Sequence, residues 1–266
     1  MYELVGFIAA LFIGLSLGLM GGGGSIVTVP VLVYLMHYSP VVATGYSLFV
    51  VGSTSTVGAV MYKRRNLVDV KTAISFGIPA AIAVYLTRQF LVPAIPAEVF
   101  SIGAFTVTKD IFLMLLFAVV MILAAFSMIK GRKSGDDIEG DESQKASFVI
   151  ILFQGLGIGL ITGLVGVGGG FMIVPALVIF SKLKMKLAVG TSLLIIAANS
   201  LIGFLGDVFT RSIDWSFLLI FTSISIIGIF IGNALSKKIP GARLKAGFGW
   251  FVLAMGLYIL IKEIWL

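Results

Sequence analysis

The chain has 266 residues, 59% of them hydrophobic and 12% charged, with a mean hydropathy of +1.13. That balance excludes a soluble globular protein, and the net charge of +7 sits in short loops, where it reports membrane topology and not nucleic-acid binding. With no cysteine, neither a disulfide framework nor a thiolate metal site is available.

Taken in order, Leu4 to Met20 is predicted to be an apolar helix, roughly 25 Å long at 1.5 Å per residue. It stops at Gly21, in a cluster of four glycines, and Ile26 to Met36 makes a shorter piece ending at His37-Tyr38-Ser39-Pro40. Val42 to Met61 follows, closed by Lys63-Arg64-Arg65; then come Ala73 to Thr87, a proline-bearing stretch from Gln89 to Thr108, and Ile111 to Ile129. Lys130 to Lys145 is charged and poor in apolar residues, so it reads as a flexible link, and the spacing of its acidic residues matches no metal loop. The second half repeats the plan with Phe148 to Val165, Phe171 to Phe180, Leu187 to Leu205, Trp215 to Leu235 and Ala246 to Ile261. Glu3 and the absence of a basic leader mark the first helix as retained, not as a signal peptide.

One stretch occurs twice. Gly18-Leu19-Met20-Gly21-Gly22-Gly23-Gly24-Ser25-Ile26-Val27-Thr28-Val29-Pro30 returns 145 residues later as Gly163-Leu164-Val165-Gly166-Val167-Gly168-Gly169-Gly170-Phe171-Met172-Ile173-Val174-Pro175. At that fixed offset, residues 14–58 and 159–203 share 17 identities in 45 positions, so the chain is an internal duplication. Glycine costs about 1 kcal/mol and proline about 3 kcal/mol in a helix interior. Each copy is therefore expected to break its helix, with Pro30 and Pro175 as further helix-break residues. Inside a membrane, exposed backbone survives only where it is buried in protein or lines a cavity.

Basic residues collect in cytoplasmic loops. If each glycine cluster is the tip of a hairpin that enters and leaves on one side, 15 basic residues fall on the cytoplasmic side and four (Arg88, Lys109, Arg211, Lys262) outside. If each cluster only kinks a straight crossing, the count becomes 10 against 9. The hairpin reading gives an all-α polytopic membrane protein of two inverted repeats, each a glycine-rich broken-helix hairpin followed by three transmembrane helices. The first repeat spans residues 1–129, a cytoplasmic linker 130–146 and the inverted second repeat 147–266, with both termini outside. Inverted repeats whose broken helices meet near the midplane are a transporter architecture.

A second echo follows each hairpin: Ala43-Thr44-Gly45-Tyr46-Ser47-Leu48 and Ala188-Val189-Gly190-Thr191-Ser192-Leu193. Small and hydroxyl residues let membrane helices pack closely, which is the plainer reading of any one of them. The functional reading is a small-anion site. Backbone N–H groups and the helix dipole at a broken helix's N-terminus favour negative charge, and glycine permits close approach. The expected binding residues are Gly22, Gly23, Gly24, Ser25, Thr44, Ser47, Gly168, Gly169, Gly170, Thr191, Ser192 and Asn199, a set that needs no arginine. No ionisable residue is expected mid-span, with His37 at a segment end, so a cation site built on carboxylates is disfavoured.

A phosphate-binding loop requires Lys-Ser or Lys-Thr after its last glycine, and Ser25-Ile26 or Phe171-Met172 stands there instead. One histidine, no cysteine and no buried carboxylate pair leave acid–base or metal chemistry without actors, so neither an enzyme nor a cofactor is expected.

The paired Gly-rich-to-Pro motifs, each followed by an Ala-x-Gly-x-Ser-Leu element, resemble those of the TauE/SafE sulfite exporter family, the TSUP permeases. The resemblance implies a multi-pass permease of the inner or plasma membrane, moving sulfite or an organosulfonate across the lipid bilayer. Two other classes remain open on the sequence. One is an anion channel using the hairpin tips as a fixed constriction; the other is a membrane scaffold, in which the doubled breaks would have no purpose.

Overall fold

The computed structural model describes residues 2–20, 25–102, 105–129, 148–179, 181, 183–208, 212–235 and 241–265. Among them the chain is helical almost throughout: α1 (Tyr2–Met20), α2 (Ser25–Leu35), α3 (Pro40–Lys63), α4 (Val70–Ala94), α5 (Lys109–Ile129), α6 (Phe148–Val165), α7 (Gly170–Ile179), α8 (Met185–Val208), α9 (Trp215–Leu235) and α10 (Gly241–Trp265). α3, α4 and α9, with the stretches Lys109–Phe126 and Lys186–Val208 of α5 and α8, are long and apolar enough to cross a membrane. Shorter apolar stretches occupy Val5–Leu19, Ser25–Leu35 and Ile151–Val165. The linker 130–146 lies outside the described residues.

Local chemistry sets the helix ends. Pro40 opens α3 in its first turn, where a missing N–H costs nothing. Asn66 takes a left-handed φ of 56° after α3 ends. Asp69 then caps α4, its carboxylate accepting from the Lys71 and Thr72 backbone N–H groups at 3.0 and 3.2 Å.

Two expectations are corrected here. Pro30 and Pro175 lie inside α2 and α7 and end neither helix. Proline's φ is itself helical, and after Pro30 the chain absorbs the lost hydrogen bond by widening into a π-helical turn, Val31–Leu35. The breaks belong to the glycines. Likewise α4 does not stop at Thr87. It continues through a π-helical turn, Thr87–Leu91, to Ala94, and is followed by an antiparallel hairpin of β1 (Glu98–Ile102) and β2 (Phe105–Thr108).

The halves interlock. α1 packs on α9, α6 on α4, α3 on α8 and α5 on α10, while α2 and α7 lie against α3 and α8 and touch each other. α3 and α8 are the central pair, 67% and 72% buried over their apolar stretches against 44–50% for α4, α5 and α9. Glycines let backbones meet at equivalent places: Gly14 against Ser225 and Gly18 against Ile229, Gly159 against Ala80 and Gly163 against Val84. At the offset of 145, each contact of the first pair maps onto one of the second. On the outside, Ile74, Ile78, Ile82 and Leu86 form an exposed apolar stripe along α4, the surface a helix offers to lipid.

Candidate functional site

α6 ends at Val165, and Gly166, Gly168 and Gly169 carry φ of 74°, 69° and 71°. This is left-handed backbone that side-chain-bearing residues avoid. α7 starts at once, the N–H groups of Met172 and Ile173 both donating to the Gly169 carbonyl at 2.9 Å. The break sits where α3 and α8 cross. Gly166 lies against Thr44, and Gly169 against Thr162 Oγ1. A Cβ on Gly168 would fall 2.7 Å from Ser200 Oγ on α8 and 2.8 Å from Val51 Cγ1 on α3. In the first copy, α1 ends at Met20 and α2 opens on the buried Ser25. Gly22, Gly23 and Gly24 lie outside the described residues.

Along α3, Thr44, Ser47, Val51 and Ser55 follow helical spacing, and Ser192, Ile196, Asn199 and Ser200 do so along α8. Val51, Ile196 and Ser200 touch Gly168, so these two faces converge on the break. Ser47 Oγ, Ser55 Oγ, Asn199 Oδ1, Ser200 Oγ, Thr162 Oγ1 and Thr28 Oγ1 are all buried, without a hydrogen-bond partner among the described residues. A buried polar group left unpaired costs about 1–3 kcal/mol; Ser200 Oγ and Thr162 Oγ1 stand at the break itself, and all six are groups ready for a polar ligand.

The other expected residues have protein partners. Thr44 and Ser192 donate to the carbonyls of Val41 and Val189, at 3.0 and 2.8 Å. Thr191 Oγ1 accepts from the backbone N–H of Asp69 at 2.9 Å. At the equivalent position of the first half, the Tyr46 hydroxyl accepts from the N–H of Asp214 at 2.7 Å. Asp69 and Asp214 are themselves equivalent, and each also accepts through its carboxylate from N–H groups of the helix it precedes. The inter-helix loop of each half is thus pinned to the start of the other half's central helix.

Sequence reading missed one buried pair. Arg88 was expected in an outer loop; it lies inside α4, 0% exposed, with its Nε 3.5 Å from Asp207 Oδ2 on α8. Asp207 borders a narrow cleft together with Gly45 and Tyr46. The available signal was that Arg88 and Asn233, both polar in apolar helices, coincide at the offset of 145. Among the described residues, no three His, Cys, Asp or Glu side chains are grouped so as to hold a metal.

Comparison with known proteins places this arrangement. The chain is 28% identical over 259 residues to a protein of Xylella fastidiosa (strain 9a5c) named "Probable membrane transporter protein", covering 94% of this chain and 92% of that one. It is 27% identical over 249 residues to "Probable membrane transporter protein YunE" of Bacillus subtilis, covering 87% and 89%. Over 116 residues it is 32% identical to "Probable membrane transporter protein MJ0441" of Methanocaldococcus jannaschii, covering 41% and 43%. No solved structure matches it. The model of the family described as "Sulfite exporter TauE/SafE" matches residues 6–259, nearly the whole chain, and this multi-pass membrane protein belongs to the sulfite exporter TauE/SafE family.

Proposed function

We propose that the chain is a secondary transporter that exports a small sulfur-containing anion, such as sulfite or an organosulfonate, by alternating access. The anion binds near the midplane, between the two glycine breaks. One observation carries the reading: the buried, unpartnered hydroxyl and amide groups of Ser47, Ser55, Asn199 and Ser200 lie on the faces of α3 and α8 that converge on a left-handed glycine turn at the start of a helix. Each hydroxyl offers one O–H donor, while the unpartnered atom of Asn199 is its acceptor Oδ1. The N-terminus of α7 adds partial positive charge without a cation. At the offset of 145, Gly23 and Ser55 are the sequence counterparts of Gly168 and Ser200, and in this reading they serve the same site.

The inverted-repeat arrangement is supported by the two cross-half hydrogen bonds, Asp214 to Tyr46 and Asp69 to Thr191. If the glycine clusters were kinks in straight crossings, each of these bonds would join residues on opposite faces of the membrane. With hairpins, both partners share a face. Exchanging the halves then swaps the two bonds, as alternating access about a pseudo-twofold requires.

A thermal-shift panel on purified protein tests the substrate class, using sulfite, sulfate, thiosulfate, sulfoacetate, taurine and chloride. A ligand at 100 times its dissociation constant stabilises by about 2.7 kcal/mol. A rise in Tm with sulfite or a sulfonate and none with chloride supports the proposal. No rise with any of them removes the substrate class.

A further inference from the structure

At the offset of 145, Arg88 corresponds to Asn233 and Asp207 to Tyr62. The geometry is shared: Gly190 packs against Tyr62, and Gly45 packs against Asp207, where a Cβ would fall 2.8 Å from Oδ2. One half therefore builds this corner from Asn233 and Tyr62, with Arg65 reaching in from the helix end to donate through Nη1 to Asn233 Oδ1 at 3.3 Å, and the other from a buried ion pair carried on the helices themselves. The fold itself does not call for the charges, since neutral or apolar pairs of similar volume are commonly as stable as a buried ion pair, or more so. Ionisable groups kept within membrane spans mark the paths of substrates and ions.

Position sharpens the point. Asp207 lines the cleft beside Gly45 and Tyr46, two residues before Ser47 on α3 and beside the Tyr46–Asp214 hydrogen bond. Arg88 lies directly behind it, its stem packed so closely on α8 that a Cβ on Gly206 would fall 2.9 Å from Arg88 Cβ. An anion moving between the cleft and Ser47 passes this pair. A guanidinium can offer an oxyanion two parallel N–H donors, whereas Arg88 approaches Asp207 through Nε, at 3.5 Å.

We propose that Arg88 is the docking cation for the transported anion at the mouth bounded by Tyr46 and Asp214, and that Asp207 is the counter-ion which the arriving anion displaces. The proposal rests on the anion-carrier reading above. Asp207 keeps the guanidinium neutralised between turnovers, so the empty mouth closes without an isolated buried charge.

The test is uptake of radiolabelled sulfite into proteoliposomes, alongside thermal shifts with the anion panel, for wild type, Arg88→Gln, Asp207→Asn and the double variant. Loss of the guanidinium in Arg88→Gln lowers kcat/KM about tenfold or more and abolishes the anion-dependent rise in Tm. Asp207→Asn removes the competitor, so KM falls while kcat also falls because the anion leaves more slowly. The double variant carries no buried unpaired charge, keeps the ligand-free Tm of the wild type and does not bind the anion. It carries the test if Arg88→Gln alone misfolds.

A double variant with wild-type KM overturns the proposal, as does an Asp207→Asn variant whose KM rises as much as that of Arg88→Gln. Wild type that is stabilised by a carboxylate, and loses that shift on Arg88→Gln, overturns the sulfur-anion class alone and upholds the docking role. Wild type that no anion stabilises overturns both.

Discussion

The backbone N–H of Asp214 donates to the Tyr46 hydroxyl oxygen over 2.7 Å, joining residues 168 positions apart. Its counterpart, from Asp69 to Thr191, spans 122 positions at 2.9 Å. In the proposed mechanism these are two latches on opposite mouths, and each occupied latch keeps its mouth closed.

Tyr46→Phe preserves the ring contacts with Tyr38 and Phe217 and removes only the acceptor for Asp214. A hydrogen bond of about 1 kcal/mol corresponds to about a fivefold change in population. In the cysteine-free chain, Val42→Cys at the cleft should be labelled about fivefold faster by an impermeant thiol reagent when Tyr46→Phe is added. Unchanged labelling would remove the latch.

Ser47 and Ser192 are equivalent in sequence and differ in bonding. Ser192→Ala gives up a bond inside its own helix, so it should lower stability by about 1 kcal/mol or less and leave binding intact. Ser47→Ala removes a buried hydroxyl with no protein partner, so it should not lower stability, but it should weaken binding of the stabilising anion by about 1.5–3 kcal/mol. Thermal unfolding with and without ligand separates the two effects. Equal affinities in wild type and Ser47→Ala would return that serine to helix packing.

Gly168→Ala puts a Cβ on a left-handed residue and 2.7 Å from Ser200 Oγ. Handedness alone costs about 1–2 kcal/mol, and the overlap adds to it, so both Tm and transport should fall. Gly157→Ala is the control, because nothing lies within 4 Å of its Cβ and the residue is helical. It should be neutral or stabilising by up to about 1 kcal/mol. Equal Tm values for the two variants would contradict the described turn.

Gly14→Val and Gly159→Val should destabilise alike, by about 1–3 kcal/mol from overpacking, because each glycine meets a backbone carbonyl at an equivalent place, Ser225 and Ala80. Markedly different losses of Tm would argue against equivalent roles for the two contacts.

Much of this was legible in the sequence wherever a local signal decided the outcome. Phe148–Val165 and Trp215–Leu235 have the expected bounds because a glycine break or a charged flank ends each apolar run. The doubled glycine motif located the second break, at Gly166 to Gly169, and made Ser47 and Asn199 candidates for the proposed site. The strand pair was missed although Val99, Phe100, Ile102, Phe105, Thr106, Val107 and Thr108 are strand formers on either side of Gly103 in the sequence, because Pro93 and Pro96 make the stretch read as irregular. The latches and the Arg88–Asp207 pair were not legible, since each joins residues more than 115 positions apart and depends on how the halves interlock.

The central claim is an anion carrier working between two glycine breaks, and counterflow tests it most directly. Proteoliposomes preloaded with unlabelled sulfite should accumulate labelled sulfite transiently, with saturable initial rates, and Gly168→Val should abolish this. Labelled sulfite that enters no faster into preloaded vesicles, with current that rises linearly with voltage, would contradict the carrier and leave a channel.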